Sequence, residues 1–420
     1  MPAHKRRHEM QGEYIFKGGR LLVPQKDALV DGCHVHVRGG TIVAVSDQPI
    51  QAEGAQAIDL KGKTLMPGLI DGHVHIYMNE RNIAALADVN PTYMAAKSTV
   101  VLRGMIMRGF TTVRDVAGGD YGMRDAVNAG YVTSPRLFVG GRAISQTGGH
   151  GDFRSRANTG YGCACCTGLS LFAAIADGLP DVIKATREEL RRGADHIKIM
   201  LSGGVASPND PLESLQYRED EISAIVEEAD RWGVYTCAHA YLDDAIERGV
   251  RLGVRTIEHG NFVSDATAQL MNEKSAFLVP TLIVYQKNKE LGPASGKSEE
   301  SLRKNDLVLE AGLQALDTCK RNGVQIGYGS DLSMHTQQFQ CDGLSLHAQA
   351  LSNAEVIRSA TLVNAAILRQ EGKLGEIVPG AIADLLVVDG DPYQGLEIFD
   401  AEGSNLHVIM KEGEFVKNLL

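Results

Sequence analysis

From residue 65 onward one pattern recurs eight times: a short apolar run, then a helical or irregular stretch. The runs are LMPGLIDGHVHI (65–76), TTVRDV (111–116), RLFVGGR (136–142), HIKIM (196–200), VYTCAHA (234–240), TIEHG (256–260), AFLVPTL (276–282) and IGYGSD (326–331). Helical spacing of apolar residues fills most of the gaps: 92–108, about 120–130, 181–193, 219–232, 241–252, 264–273 and 297–322, with two further patterns at 342–350 and 353–369. Segment 143–179, with a GGHGD turn and three cysteines, reads as a long irregular loop. Strands separated by helices need crossover connections, which make parallel sheets, and eight such units predict a closed (β/α)8 barrel.

The texture differs at both ends. Residues 13–60 alternate apolar and polar side chains between Gly and Asp turns, and DLLVVD and LHVIMKEGEFV do the same after residue 376. Both ends therefore predict strands, and together they predict one small β-sandwich flanking the barrel. The expected domains are 1–66 with 377–420 for the sandwich, and 67–376 for the barrel. His34 and His36 fall on a strand of the sandwich with no other ligand type nearby, and are expected to be packing or surface residues.

Composition narrows the functional classes. A formal charge of −10 over 420 residues argues against nucleic acid or an anionic membrane as the main partner. The one basic cluster, residues 4–8, reads as a solvated tail. No run approaches the roughly 20 apolar residues of a membrane span, and the N-terminus has no apolar signal core, so the chain as given reads as cytoplasmic. Seven cysteines are too few and too scattered for a disulfide framework, and Cys163, Cys165 and Cys166 read as reduced loop thiols.

Barrel chemistry collects at the C-terminal ends of the strands. Those ends carry His73 and His75 on the first, Lys198 on the fourth, His239 on the fifth, His259 on the sixth and Asp331 on the eighth. His73 and His75 stand at i and i+2, so a strand aims both imidazoles at one point. The spacing alone is weak, because His34 and His36 share it; the convergence of six donors is what counts. Burying so many polar groups without a ligand would be costly. An ammonium would repel a cation, but carbamylation by CO2 turns Lys198 into an anion able to bridge two metals. Two divalent ions carry +4, and the carbamate, Asp331 and a hydroxide together answer with −3. Nitrogen-rich ligation favours zinc.

PGLIDGHVH, HIKIMLSGG, AHA, EHG, GSD and ADLLVVDGDP together resemble the amidohydrolase superfamily over nearly the whole chain. Within it they are similar to the imidazolonepropionase-like and Xaa-Pro/Xaa-Arg dipeptidase branch, which includes ochratoxin-hydrolysing carboxypeptidase-like enzymes. The resemblance implies that His73, His75 and Asp331 hold one ion and His239 and His259 the other, with carbamylated Lys198 between them. It implies a metal-activated water as nucleophile, and Asp331 as the group that moves a proton from water to the leaving amine. Matching positions of similar dipeptidases make His150 and Tyr217 candidates for contact with the substrate carbonyl or its terminal carboxylate. His335 and His196 are assigned no role beyond support. The implied substrate is a small amide or dipeptide with a C-terminal carboxylate, an ochratoxin-like N-acyl-phenylalanine included. The implied assembly is a homo-oligomer, up to an octamer.

Two other readings compete with this one. A cyclic-amide hydrolase of imidazolonepropionase type manages with one metal and lacks a bridging lysine, so Lys198 tells against it. A non-catalytic scaffold would have lost ligands, and none of the six is missing.

Overall fold

The computed structural model describes residues 12–78, 80, 83–154, 171–207, 209–295 and 297–420. The basic cluster at 4–8 and the three cysteines at 163–166 lie outside the described residues. Eight parallel strands form the centre: Leu69–Val74, Phe110–Asp115, Arg136–Val139, His196–Met200, Tyr235–Ala240, Thr256–His259, Phe277–Val279 and Gln325–Ile326. The first three pair in order, and the last five pair in order within a seven-stranded sheet. Backbone bonds close the ring. Gly72 N–H donates to the Tyr328 carbonyl (2.7 Å) and Asp331 N–H to that of His73 (2.9 Å), joining the eighth strand to the first. Asp195 N–H donates to the Val139 carbonyl (2.8 Å), joining the third to the fourth. The result is a TIM-like barrel.

Helices cover the outside, each burying one apolar stripe. Their starts follow capping chemistry: the side chains of Asn90, Asp120, Ser264 and Ser298 accept backbone N–H groups at the heads of helices Pro91–Met107, Tyr121–Asn128, Asp265–Glu273 and Glu299–Arg321. Three local departures from expectation occur. Segment 143–179 contains two short parallel strands, Ala143–Ser145 and Ala173–Ile175, three residues each and too brief to show a period. Helix Leu282–Leu291 begins with Leu-Ile-Val-Tyr, residues that favour strands until the barrel wall decides otherwise. The pattern at 353–369 breaks into Asn353–Arg358, a π turn at Ser359–Val363 and Asn364–Ile367. After that break the Asn364 amide donates to the carbonyls of Ile70 and Tyr328, tying the first and eighth strands.

Beside the barrel lie two further sheets. One has four strands from the N-terminal segment, in the order Thr41–Ser46, His34–Arg38, Glu13–Lys17, Gln56–Asp59. The other has six and interleaves both chain ends, in the order Glu414–Asn418, Leu406–Lys411, Leu385–Val388, Thr64–Pro67, Arg20–Val23, Ala28–Asp31. Alternate residues from the two sheets, among them Phe16, Val35, Val37, Leu65, Leu385 and Val408, share one core separate from the barrel's. His36 is buried there, its Nε2 2.6 Å from Glu13 Oε1. Among the described residues no helix is long and apolar enough to cross a membrane.

Candidate metal centre and active site

At the C-terminal mouth of the barrel a cavity of about 510 Å³ opens, and His73, His75, Lys198, His239, His259 and Asp331 all line it. The donor atoms of His73, His75 and Asp331 lie within 4.8 Å of one another. Asp331 Oδ1 is 3.2 Å from His75 Nε2 and 3.6 Å from His73 Nε2. The His259 ring centre lies 5.1 Å from that of His73 and 4.6 Å from that of His239. Five strands thus deliver their end residues to one volume.

A ligand imidazole binds with one nitrogen while the other is held from behind, which fixes its tautomer. His73 Nδ1 is 2.8 Å from Glu258 Oε2, and His75 Nδ1 is 2.8 Å from the Ala117 carbonyl. His259 Nδ1 meets the hydroxyls of Thr281 (2.8 Å) and Tyr285 (2.9 Å). In these three, Nε2 is left for the cavity. His239 uses Nε2 instead, 3.2 Å from the Gly203 carbonyl, which leaves Nδ1 as its lone-pair nitrogen. Glu258 is itself anchored by Arg114 Nη2 at 2.8 Å and 2.9 Å, with both side chains fully buried.

The electrostatics suit cation binding. Burial pushes His73, His239 and His259 well below the usual histidine range, so all three present lone pairs at neutral pH. At His75 burial pulls downward, but the hydrogen bond and charge of Asp331 outweigh it and raise the group. Asp331 is held below the usual carboxylate range, because His73 and His75 overcome the cost of its burial. Lys198 is 2% exposed, and burial lowers its ammonium toward the neutral amine, the form that adds to CO2. His73, His75 and Asp331 therefore form a group that could hold a metal ion, with the lone pairs of His239 and His259 in the same cavity. Strain points the same way. His259 and Asp331 both adopt positive φ, 76° and 53°, a conformation that costs a non-glycine residue on the order of 1–3 kcal/mol and collects at functional positions.

Around this centre the expected substrate contacts divide. His150 lines the cavity and stacks on His239, with ring centres 4.0 Å apart and planes at 16°. Its Nδ1 is 2.8 Å from Ser207 Oγ. The close approach requires glycine at 204, where a Cβ would stand 2.0 Å from the His150 ring. Tyr217 does not reach the cavity. Its hydroxyl donates to the Ala176 carbonyl (3.0 Å) and its N–H to Gln146 Oε1, within a buried turn at φ 53°. The carboxylate contact expected of it is therefore withdrawn. The tyrosines that do line the cavity are Tyr285 and Tyr241, the latter stacked on His259 at 5.0 Å with its hydroxyl 2.9 Å from that of Tyr285. Tyr241 is the one near a predicted ligand in sequence. It stands two residues after His239, so the i, i+2 argument that selects His73 and His75 selects it too. His335 lines the outer cavity. His196 lies deeper, buried and stacked on Tyr235.

The profile of the amidohydrolase family matches residues 64–416, most of the chain. The chain belongs to the amidohydrolase family. A solved prolidase in complex with N-methylphosphonate-L-proline is 44% identical and superimposes with a TM-score of 0.94, covering 97% of this amidohydrolase and 100% of that chain. A Xaa-Pro dipeptidase structure with methionine in its active site is 27% identical, with a TM-score of 0.87 over 97% and 100% of the two chains. The ochratoxinase of Aspergillus niger is 28% identical over 93% of this chain and 85% of its own sequence. This amidohydrolase is thus a hydrolase of amide bonds.

Proposed function

We propose that this amidohydrolase uses two divalent cations to cleave the amide joining an acyl group to a C-terminal amino acid, as a dipeptidase or an N-acyl amino acid hydrolase. The single observation that carries the reading is the convergence of four imidazoles, a buried lysine and a carboxylate on one cavity. His73, His75 and Asp331 would hold one ion, His239 and His259 the other, and the carbamate of Lys198 both. Such a pair, when bound, acidifies water and polarises a carbonyl. Asp331 would accept the proton of the attacking water at its free carboxylate oxygen and return it to the amine nitrogen as the C–N bond breaks. His150, held through Nδ1, has no protein partner at Nε2 among the described residues and would donate from there to the acyl oxygen.

The substrate class rests on the relatives. A phosphonate joined to proline has a tetrahedral centre where a hydrated amide would have one, and it occupies the prolidase relative. Proline, or another residue with a free carboxylate, is the leaving group this suggests, and the ochratoxinase relative extends the class to bulky N-acyl amino acids. Lys198 favours this over a cyclic-amide hydrolase with a single ion. The test is a panel of dipeptides, N-acyl amino acids and an ochratoxin-type N-acyl-phenylalanine, varied at the C-terminal residue, run alongside metal analysis. Close to two divalent ions per chain and hydrolysis of free acids are expected. Full turnover in protein stripped of metal would overturn the mechanism.

A further inference from the structure

A substrate with a carboxylate three bonds from the scissile carbonyl carbon brings a full negative charge into a cavity that must answer it. Tyr217 is committed elsewhere, and the Tyr241 hydroxyl is shared with Tyr285. The other charged side chains of the cavity wall have partners within the protein. Lys287 pairs with Glu290 (3.0 Å) and Asp342 (3.4 Å). Lys304 donates to the Asp210 carbonyl at 2.8 Å. Glu80 is matched by Lys97 and Glu300 by Arg303. Lys297 also lines the cavity, and among the described residues no carboxylate stands within ion-pair distance of its Nζ.

Its placement is suggestive in a second way. Lys297 lies between helix Leu282–Leu291, which follows the seventh barrel strand, and the 23-residue helix Glu299–Arg321. Ser298, the cap of that long helix, and Ser301, from its first turn, line the same wall. The wall therefore combines a lysine with the positive end of a helix dipole. The Lys297 backbone is fixed by a bond from its N–H to the Gly292 carbonyl (3.2 Å). Its side chain is half-buried, and burial holds the ammonium below the usual lysine range while the charge of Asp331 pulls the other way. The Lys297 ammonium shares the cavity with the candidate ligands and has no protein partner among the described residues, whereas that of Lys304 is held by the Gly204 and Asp210 carbonyls.

We propose that Lys297 is the residue that recognises the substrate's free carboxylate, and so sets the preference for cleavage beside a C-terminal amino acid. This rests on the amide-hydrolase reading above and adds the determinant of its specificity. A lysine–carboxylate contact shielded from water discriminates against a neutral isostere by about 10- to 100-fold. The preference belongs to the lysine charge, so an arginine there should keep part of it.

The experiment compares each cleaved N-acyl amino acid with its C-terminal amide, on wild type, Lys297→Met and Lys297→Arg, all with metal content measured. Wild type is expected to prefer the acid by at least 10-fold in kcat/KM. Lys297→Met should lose about 10- to 100-fold on the acid, mostly through KM, leave the amide within about threefold, and keep the metals. Lys297→Arg should fall between. An equal loss on acid and amide, or an undiminished acid preference in Lys297→Met, would overturn the assignment while leaving the hydrolase reading intact. A wild type that cleaves the amide as well as the acid would also overturn it, and with it the C-terminal carboxylate requirement. Should no linear substrate be cleaved, titration of the metal-loaded proteins with N-methylphosphonate-L-proline and its carboxamide decides. Tighter binding of the acid in wild type but not in Lys297→Met supports the contact, and equal binding removes it.

Discussion

A primary amine buried among four imidazoles is a poor neighbour for a divalent cation until it becomes an anion, which makes Lys198 the residue with the most to test. Its low exposure and its shift toward the neutral amine favour carbamylation, and its strand places it among the ligands of both proposed ions. Lys198→Ala is expected to bind fewer than two metals per chain and to lose at least about 100-fold in kcat. Added short carboxylates should restore part of that by standing in for the carbamate. Unchanged turnover and metal content in this variant would remove the carbamate from the mechanism. At this scale much was legible, because each candidate ligand ends a strand and a polar side chain there has few other uses. What misled was Tyr217. It follows the fourth strand and precedes an acidic helix start, and nothing in the local sequence reveals that a left-handed turn will bury its hydroxyl against Ala176. Tyr241 was available to the same periodicity argument as the histidines, but its strand run was read only as far as residue 240. Lys297 carried no local signal, since the lack of any protein partner for its ammonium among the described residues emerges only in the folded cavity.

The barrel elements were readable because eight short runs rich in apolar residues recur between stretches of helical spacing, the alternation of a parallel sheet with its crossover helices. A strand too short to show a period, Ala143–Ser145, was not readable, nor was helix Leu282–Leu291, which opens on strand-favouring residues. How the barrel docks on the flanking sheets was also hidden, because the contacts join residues 248 and 276 positions apart. Arg136, on the third barrel strand, reaches Asp384 Oδ2 (2.6 Å) and Glu412 Oε1 (2.9 Å) at the edge of the six-stranded sheet, and donates to Thr112 Oγ1 (2.9 Å). Asp384 is 5% exposed on its side chain, so removing the guanidinium strands a buried carboxylate. Such a loss costs about 3–5 kcal/mol. Arg136→Met should therefore lower the urea midpoint clearly while metal content and kcat stay near wild type, because the pair lies away from the cavity mouth. If the midpoint did not move, the ion pair would be ruled out as the joint between the sheets and the barrel.

Taken as a whole, the molecule concentrates neutral histidines in its interior, and that sets how it meets acid. His347, at the end of helix Asp342–His347, illustrates the effect away from the metal ligands. It packs against Tyr328 with ring centres 5.2 Å apart, and neither ring nitrogen has a hydrogen-bond partner among the described residues. Burial pushes it down to about 4 from an unfolded value of 6.5. Between those values the unfolded chain binds the extra proton, so stability falls as pH falls from 6.5 toward 4 and is insensitive to this group above 6.5. The full difference is on the order of 3 kcal/mol. His347→Leu replaces the ring with a side chain of similar bulk and no proton to gain. Its stability relative to wild type, from urea midpoints, should improve by about 2 kcal/mol between pH 7.5 and pH 4.5. Because both proteins share every other histidine and the same metal centre, the acid response common to them cancels in the comparison. A gap that stays constant across that range would mean His347 is not held neutral by burial.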